Sequence, residues 1–253
     1  MSFSNNITIH HSKDFIKMRQ SGLIAAKILD YITPFVNRGV TTNQLNDICH
    51  AEILRYDAIP APLNYQGYPK SICTSVNHVV CHGIPNNQSL NDGDIINIDV
   101  TIIKEGWYGD ASRMYHIGKI TPVAQRLIRT CYEAKMKAIE ILKPGIPFNH
   151  IGKTIQQYVE KKGFSVVRDY CGHGIGRTFH SLPNILHYFH PHHNTIMKEG
   201  MFFTIEPMIN TGHYTTRTLE DHWTVITKDH SLSAQCEHTV GITKTGYEIF
   251  TQS

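Results

Sequence analysis

The stretch that decides the fold reads Ile95-Ile96-Asn97-Ile98-Asp99-Val100-Thr101-Ile102-Ile103, and Gly109-Asp110 follows it after a turn at Lys104-Glu105-Gly106. Its density of isoleucine, valine and threonine predicts a β-strand. Asp99 lies inside that strand, where aspartate is disfavoured and an unpaired charge is costly. The stretch therefore predicts a strand that carries a carboxylate into the interior.

The turn after this strand sets which residues face each other in the predicted hairpin. If Lys104 and Glu105 form a two-residue loop, Asp99 lies directly opposite Asp110, whereas a three-residue loop with a bulge shifts the pairing by about one position. Like charges that face each other destabilise a sheet. Three neutralising groups are open at this point: a shared proton, a nearby arginine such as Arg113, or a divalent cation.

Carboxylates recur beside strands in the second half of the chain. Glu206 ends the apolar run Met201–Ile205, and Pro207 then stops the ladder. Glu237 comes just before another strand-like run. One such carboxylate is usually paired or at a sheet edge, but four in two matching halves require a cation to explain them.

His173 supplies a nitrogen ligand from a run in which glycines permit close backbone approach and unusual torsions. His180 would share a helical face with it, but Gly174 and Gly176 argue against a helix and so against a zinc-type pair of helical histidines. Four carboxylates and one imidazole suit two divalent ions such as Mn, Fe, Co or Zn, which can activate water for amide hydrolysis. The predicted metal ligands are Asp99, Asp110, His173, Glu206 and Glu237.

Apolar periodicity divides the chain into helices and strands in a repeated order: helix, helix, strands, then helix, helix, strands. The residues 39–45 echo the residues 145–151 in register. The pattern favours a mixed α/β (α+β) domain over residues 1–253, with two related halves around one sheet and a site between them. The predicted helices span about 12–35, 42–56, 121–142 and 148–162, and the strands 72–76, 95–103, 112–117, 165–168, 201–205, 223–227 and 238–243.

Composition excludes several classes of protein. No stretch approaches the roughly 20 apolar residues of a membrane helix, and the polar start Met1 to Asn6 lacks the apolar segment of a secretory signal, so a cytoplasmic location is expected. The six cysteines show no C-x-x-C spacing and are expected to be free, mostly buried thiols. A net charge of +3 is too small to indicate nucleic acid. Of the 17 histidines, His190, His192 and His193 are expected in an exposed loop.

Taken together, the motifs resemble those of type I methionine aminopeptidases. That family shares the pita-bread (creatinase/aminopeptidase) fold with prolidases and aminopeptidase P. The resemblance implies two pseudo-symmetric halves around a central curved antiparallel sheet, and the same five metal ligands. The matching runs cover about residues 65 to 240 and are Tyr65–Ser71, Val79–Gly83, Asn97–Val100, Gly109-Asp110, Cys171–Gly176 with His180, Phe203–Pro207 and Cys236–Thr239.

The resemblance also implies removal of the initiator methionine from nascent chains whose second residue is small. Asp110 and Glu237 would chelate both ions, and Glu206 would double as a proton shuttle. His82 would contact the scissile amide nitrogen, and His180 would hydrogen-bond the carbonyl. A sulfur and aromatic rings suit a thioether side chain, and the implied methionine pocket consists of Tyr65, Tyr68, Cys73, Phe179 and Trp223.

Departures from the family pattern are few. Gln66 stands where the family often has histidine, and His78 precedes Val79 where many members have an acidic residue. The 25 residues between His180 and Glu206 leave no room for the insertion of type II enzymes, and no Cys/His-rich extension of the eukaryotic kind is present, so a bacterial-type enzyme is implied.

The expected partners are nascent N-termini and, transiently, the ribosome, with no membrane and a monomeric state. Two alternatives stay open. One is a prolidase or aminopeptidase P relative, although those proteins usually carry a further N-terminal domain. The other is a pita-bread binding protein without catalysis, although such proteins typically lose metal ligands.

Overall fold

The helices occupy the predicted places, and the second and third begin at side-chain caps. The computed structural model describes residues 7–253, and Met1 to Asn6, on which the expectation of no secretory signal rests, lies outside them. Thr41 and Gln44 form a capping box, and the Thr121 hydroxyl accepts from the Ala124 N–H ahead of the third helix. The α-helices span Ser12–Ile32 (α1), Thr42–Arg55 (α2), Pro122–Glu140 (α3) and Asn149–Lys161 (α4).

The first helix is three residues shorter than predicted because Pro34 cannot continue it. The chain tightens there into a 3-10 turn, Thr33–Phe35. A second short 3-10 segment spans Tyr65–Gly67.

Fifteen strands complete the described chain, and all their pairings are antiparallel. The strands form four hydrogen-bonded sheets, of four, three, three and five strands, rather than one continuous sheet. The strands are Ile59–Pro60 (β1), Cys73–Val76 (β2), Val79–Cys81 (β3), Ile95–Lys104 (β4), Trp107–His116 (β5), Ser165–Val166 (β6), Gly172–Gly174 (β7), Ser181–Ile185 (β8), Phe202–Ile205 (β9), Met208–Asn210 (β10), Thr216–Thr218 (β11), Val225–Thr227 (β12), Ser233–Gln235 (β13), His238–Ile242 (β14) and Tyr247–Ile249 (β15).

The predicted register of the β4–β5 hairpin was wrong by two positions. Asp110 pairs with Thr101, and Asp99 pairs with Ser112. The reason is the turn: Glu105 and Gly106 form the two-residue loop, and both have positive φ (51° and 78°), as a type I′ turn requires. Because the shift is even, Asp99 and Asp110 still share one face of the hairpin, as diagonal rather than opposite neighbours.

Alternation along the strands sorts their side chains between two environments. In β4 the residues Ile96, Ile98, Val100 and Ile102 pack with α1 and α2, so Asp99 points to the other face. In β9 the same alternation buries Phe203 and Ile205 against α3 and α4. Each half therefore has its own apolar core under its helix pair, and the polar faces of both halves turn toward the centre.

The two halves meet where β5 and β14 approach each other. The Glu237 N–H donates to the Ser112 carbonyl (3.1 Å), and the Thr239 hydroxyl donates to the Asp110 carbonyl (2.7 Å). These bonds fix the two halves against each other beside two of the predicted ligands.

The predicted α+β class with paired halves is confirmed, while the assignment of residues 1–253 to a single domain stays a prediction. No helix among residues 7–253 is long and apolar enough to cross a membrane. All six cysteines are free thiols, and only Cys171 is not buried. His190 and His192 are exposed, as expected, and His193 is half-buried.

Candidate metal centre

The five predicted ligands come together between the two halves. Asp99 and Asp110 come from the β4–β5 hairpin, His173 from β7, Glu206 from the end of β9, and Glu237 from the start of β14. His173 Nε2 lies 3.6 Å from Asp110 Oδ2 and 3.6 Å from Glu206 Oε1. Asp110, His173 and Glu237 each offer a ligand atom, and these atoms lie within 4.8 Å of one another.

The glycines beside His173 make room for the neighbouring backbone. A Cβ on Gly172 would lie 2.4 Å from the Thr204 carbonyl oxygen, and one on Gly174 would lie 2.2 Å from the Leu182 carbonyl oxygen. Neither glycine has a positive φ, so close approach explains them and unusual torsions do not. The Thr204 hydroxyl also accepts from the His173 N–H (3.0 Å), which ties β7 to β9.

Crowding of negative charge makes the metal-free centre unfavourable. Burial and the charges of Asp110 and Glu206 raise the pKa of Asp99 well above its usual value. The same causes raise the pKa of Glu237. Burial, opposed by His173 but assisted by Asp110, raises the pKa of Glu206 to about 7. For His173, burial favours the neutral form, but hydrogen bonding to Asp110 and the carboxylate charges outweigh it and raise the pKa.

Of the three neutralising groups considered from the sequence, the arginine is excluded. Arg113 pairs with Asp30 of α1 at 2.9 Å, because odd-numbered neighbours of Asp110 in β5 face the helices. Asp99 Oδ1 is inaccessible to solvent and has no hydrogen-bond partner among residues 7–253. A carboxylate oxygen in that position needs a cation or a proton.

Surrounding hydrogen bonds orient Asp110 and Glu206, as such bonds do in known metal sites. The Thr101 hydroxyl donates to Asp110 Oδ1 (2.7 Å), and the Thr204 hydroxyl donates to Glu206 Oε1 (2.8 Å). The Gln235 amide donates to Glu206 Oε2 (3.2 Å). The donor set, its orientation and the unpartnered Asp99 oxygen all fit divalent cations.

Two further histidines stand at the same centre. His82 has a positive φ of 56°, a conformation that non-glycine residues rarely adopt and that recurs at functional sites. Burial lowers its pKa to about 4. Burial and the neighbouring His173 lower the pKa of His180 to about 4, and the rings of His173 and His180 lie 4.3 Å apart. Both His82 and His180 are therefore neutral at pH 7.

A cavity of 410 Å³ opens onto this centre and is lined by every residue predicted for the site. Its apolar end consists of aromatic rings in contact: Tyr68 meets Trp223 edge-on at 5.1 Å, and Tyr65 meets Phe179 at 4.9 Å. The Tyr68 hydroxyl donates within the protein, to the carbonyls of Ile72 and Gly83. That end of the cavity is therefore formed mainly by aromatic rings and the Cys73 side chain, with the Tyr68 hydroxyl already engaged.

Sequence reasoning missed several residues that line the same cavity. Tyr170 meets the ring of His82 edge-on at 5.5 Å. Tyr170 and Cys171 directly precede the Gly172-His173 pair, so their adjacency was an available signal. The remaining unpredicted lining residues are Pro62, Gln66, Thr101, Asp169 and Met208.

Comparison with known proteins places the chain in a class. The sequence model of Metallopeptidase family M24 matches residues 16–244. The chain belongs to this family of metallopeptidases.

Within that class the similarity is to methionine aminopeptidases. The chain is 60% identical to the methionine aminopeptidase of Rickettsia prowazekii (strain Madrid E) over 248 residues, which is 98% of this chain and 96% of the relative. The crystal structure of methionine aminopeptidase from Rickettsia prowazekii superposes with a TM-score of 0.96 at 59% identity, covering 98% of this chain and 100% of that one. The resemblance noted from the motifs is thus confirmed.

A more distant structure shares the fold. The prolidase from Pyrococcus furiosus has a TM-score of 0.76 at 20% identity, and the match covers 97% of this chain but 65% of that one. This partial coverage of the prolidase agrees with the expectation that prolidases contain additional residues.

Proposed function

We propose that this chain is a methionine aminopeptidase that removes the initiator methionine from nascent proteins and peptides when the second residue is small. One observation carries the proposal: a single cavity of 410 Å³ joins the carboxylate-rich centre to an apolar end lined by aromatic rings and Cys73. An unbranched thioether fits such an end because sulfur makes favourable contacts with aromatic rings. The named relatives support the same assignment.

Five residues hold the metal in this proposal. Two divalent ions, drawn from Co, Mn, Fe and Zn, suit the oxygen-rich donor set and balance its charge. Asp110 and Glu237 would offer oxygens to both ions. When bound, such ions polarise a carbonyl and lower the pKa of a water nucleophile. The proposed ligands are Asp99, Asp110, His173, Glu206 and Glu237.

His180 donates a hydrogen bond to the scissile carbonyl oxygen. Its Nδ1 lies 2.9 Å from the Tyr65 hydroxyl. When that hydroxyl donates to Nδ1, the ring proton resides on Nε2, which is then the nitrogen that can donate to the substrate. The low pKa of His180 keeps the ring neutral. The ring therefore stabilises developing negative charge by donating a hydrogen bond, without transferring its proton.

His82 and Glu206 handle the amide nitrogen and the proton. His82 lines the same cavity as the carboxylates, and its lowered pKa keeps the ring neutral where it contacts the scissile nitrogen. Glu206 accepts a proton from the attacking water and delivers it to the leaving amine. The Thr204 and Gln235 hydrogen bonds hold its two oxygens in place for that transfer.

Methionine specificity arises from the apolar end of the cavity. The side chain of the first residue lies among rings, and the free amino group then reaches the carboxylates. The proposed pocket residues are Tyr65, Tyr68, Cys73, Phe179 and Trp223. In the same proposal, residues 1–253 act as one cytoplasmic catalytic domain, a monomer that contacts the ribosome transiently while its substrates emerge.

The test is release of methionine from Met-Ala-Ser by the purified protein supplied with Mn, Fe or Co. We expect release with each competent metal, none after chelation, and little cleavage of Xaa-Pro peptides. The Asp99→Asn variant should bind less metal and lose activity, while Asp92→Asn, an exposed aspartate far from the cavity, should retain both. Absence of methionine release in every metal would refute the assignment, and preference for Xaa-Pro peptides would replace it with a prolidase-type activity.

A further inference from the structure

A second cavity lies behind the metal centre and contains a buried lysine. Lys135 of α3 is 2% exposed. Among residues 7–253 its ammonium has no salt-bridge or hydrogen-bond partner, and it stands 5.0 Å from the Tyr132 ring. Burial lowers the pKa of Lys135, and the nearby Cys236, Cys131 and Glu237 side chains oppose that shift. A cation–π contact compensates only part of the cost of removing an ammonium from water. Such a charge is rarely buried without a counter-charge.

The cavity has a volume of 250 Å³, compared with roughly 30 Å³ for a water molecule in the liquid. Ser112 lines it too, and the Ser112 side chain is almost completely buried. Its Oγ has no hydrogen-bond partner among the described residues. Two donor groups without partners, one of them charged, therefore face one cavity.

Tyr132, Cys236, Gln252 and Ser253 also line this cavity, and two of its other polar side chains already have partners. Arg113 pairs with Asp30, and His238 shares a hydrogen bond of 2.8 Å with the Thr251 hydroxyl. Glu237 lines both this cavity and the one at the metal centre, so it forms the wall between them. Bound metal would engage its carboxylate and leave the ammonium without a counter-charge.

We propose that this rear cavity binds a small oxyanion, a tetrahedral inorganic anion or a small carboxylate, between the Lys135 ammonium and the Ser112 hydroxyl. Charge-assisted hydrogen bonds of this kind are the strong ones in proteins. An anion there also shields Glu237 from the lysine charge. Anion and divalent metal therefore bind cooperatively, and each raises the affinity for the other by the same factor. This coupling rests on the proposed function, but binding of the anion itself does not.

Sulfate is the first probe, because it carries the right charge and coordinates transition metals weakly. Calorimetric titration of the metal-loaded protein should detect sulfate binding, weakened at least tenfold in Lys135→Met, since a hydrogen bond to a charged group contributes about 1.5–3 kcal/mol. Lys137→Met, the same change at an exposed position on the same helix, should leave the affinity unchanged. Formate in a parallel titration distinguishes a carboxylate ligand from a tetrahedral one.

Three further measurements test the same anion site. Ser112→Ala, which changes no charge, should weaken sulfate binding by about fivefold. Selenate, a heavy analogue of sulfate, should give an anomalous peak between Lys135 Nζ and Ser112 Oγ in crystals. At constant ionic strength, sulfate should slow metal loss to a chelator in the unsubstituted protein but not in Lys135→Met.

The results separate this proposal from the peptidase assignment. Equal sulfate and formate affinities in the unsubstituted protein and in Lys135→Met would overturn it. A selenate peak away from these two residues would mean an adventitious ion only, and would overturn it as well. Failure to release methionine, with sulfate binding intact, would instead count against the proposed function and leave the anion site standing.

Discussion

Glu206→Gln tests the electrostatics of the metal centre, because it removes one charge while keeping nearly the same shape. In the metal-free protein the pKa of Glu206 is raised from 4.5 to about 7. Between these values the unfolded chain releases its proton while the folded chain keeps it, so folding stability falls as the pH rises. At about 1.4 kcal/mol for each pH unit, the loss amounts to about 3 kcal/mol above pH 7.

Glutamine avoids that loss but gives up one hydrogen bond. The Gln235 amide donates to Glu206 Oε2 at 3.2 Å, and an amide nitrogen in that place would accept nothing, at a cost of about 1 kcal/mol. The net gain for metal-free Glu206→Gln is therefore about 2 kcal/mol at pH 8, or about 4–8 °C in Tm for a chain of this size. At pH 4.5 the charge no longer costs stability and only the lost hydrogen bond remains, so the variant should be less stable than the unsubstituted protein by about 1 kcal/mol.

Urea or thermal unfolding of chelator-treated protein between pH 4.5 and 8 measures this directly, with the exposed Glu199→Gln as the matched control. With metal added, the order should reverse. Ligand binding stabilises the unsubstituted protein by about 4 kcal/mol at a thousand times Kd, and the variant lacks one ligand. A variant that is no more stable at pH 8, or whose gain does not depend on pH, would refute the account of crowded carboxylates.

Three other substitutions or measurements probe the same centre. Gly172→Ala should lower the unfolding free energy by more than about 3 kcal/mol, since its Cβ would lie 2.4 Å from the Thr204 carbonyl oxygen. The Tm and the metal content of the protein should fall with it, and unchanged metal content would contradict this. Thr101→Val, which removes the hydroxyl donated to Asp110, should weaken metal affinity roughly 10- to 100-fold with little change in fold, as measured by chelator competition. In the metal-free protein the His82 ring should titrate near pH 4 by NMR, and a midpoint near 6.5 would show that the ring is solvated.

The long elements could be predicted because each has a clear period. Helices α1 to α4 carry apolar stripes, α2 and α3 also begin at side-chain caps, and β4 is dense in β-branched residues. Short strands such as β7 and β10 have three residues each, too few to show alternation. The hairpin register failed because the turn type depends on positive φ at Glu105, which a residue other than glycine or asparagine does not signal.

Some residues of the site could likewise be predicted from the sequence, and others could not. The carboxylates could be selected because charges are anomalous in apolar strands, and that anomaly survives an error in register. His82 gives no such signal, and it was found only through the family resemblance. The rear cavity could not be predicted at all, since Lys135 reads as an ordinary polar residue on a helix until the packing of α3 is known.

The placement of the ligands on two halves gives the metal a second effect, on the chain's freedom when unfolded. Asp110 and Glu237 can offer atoms to one ion, so the ion acts as a cross-link that closes a loop of roughly 130 residues. By analogy with covalent cross-links, closing a loop of that length lowers the conformational entropy of any partly unfolded form that keeps the ion. The corresponding free energy is about 4–5 kcal/mol. Opening either half must break that link or expel the ion, so the rate of metal exchange should report how often the two halves separate.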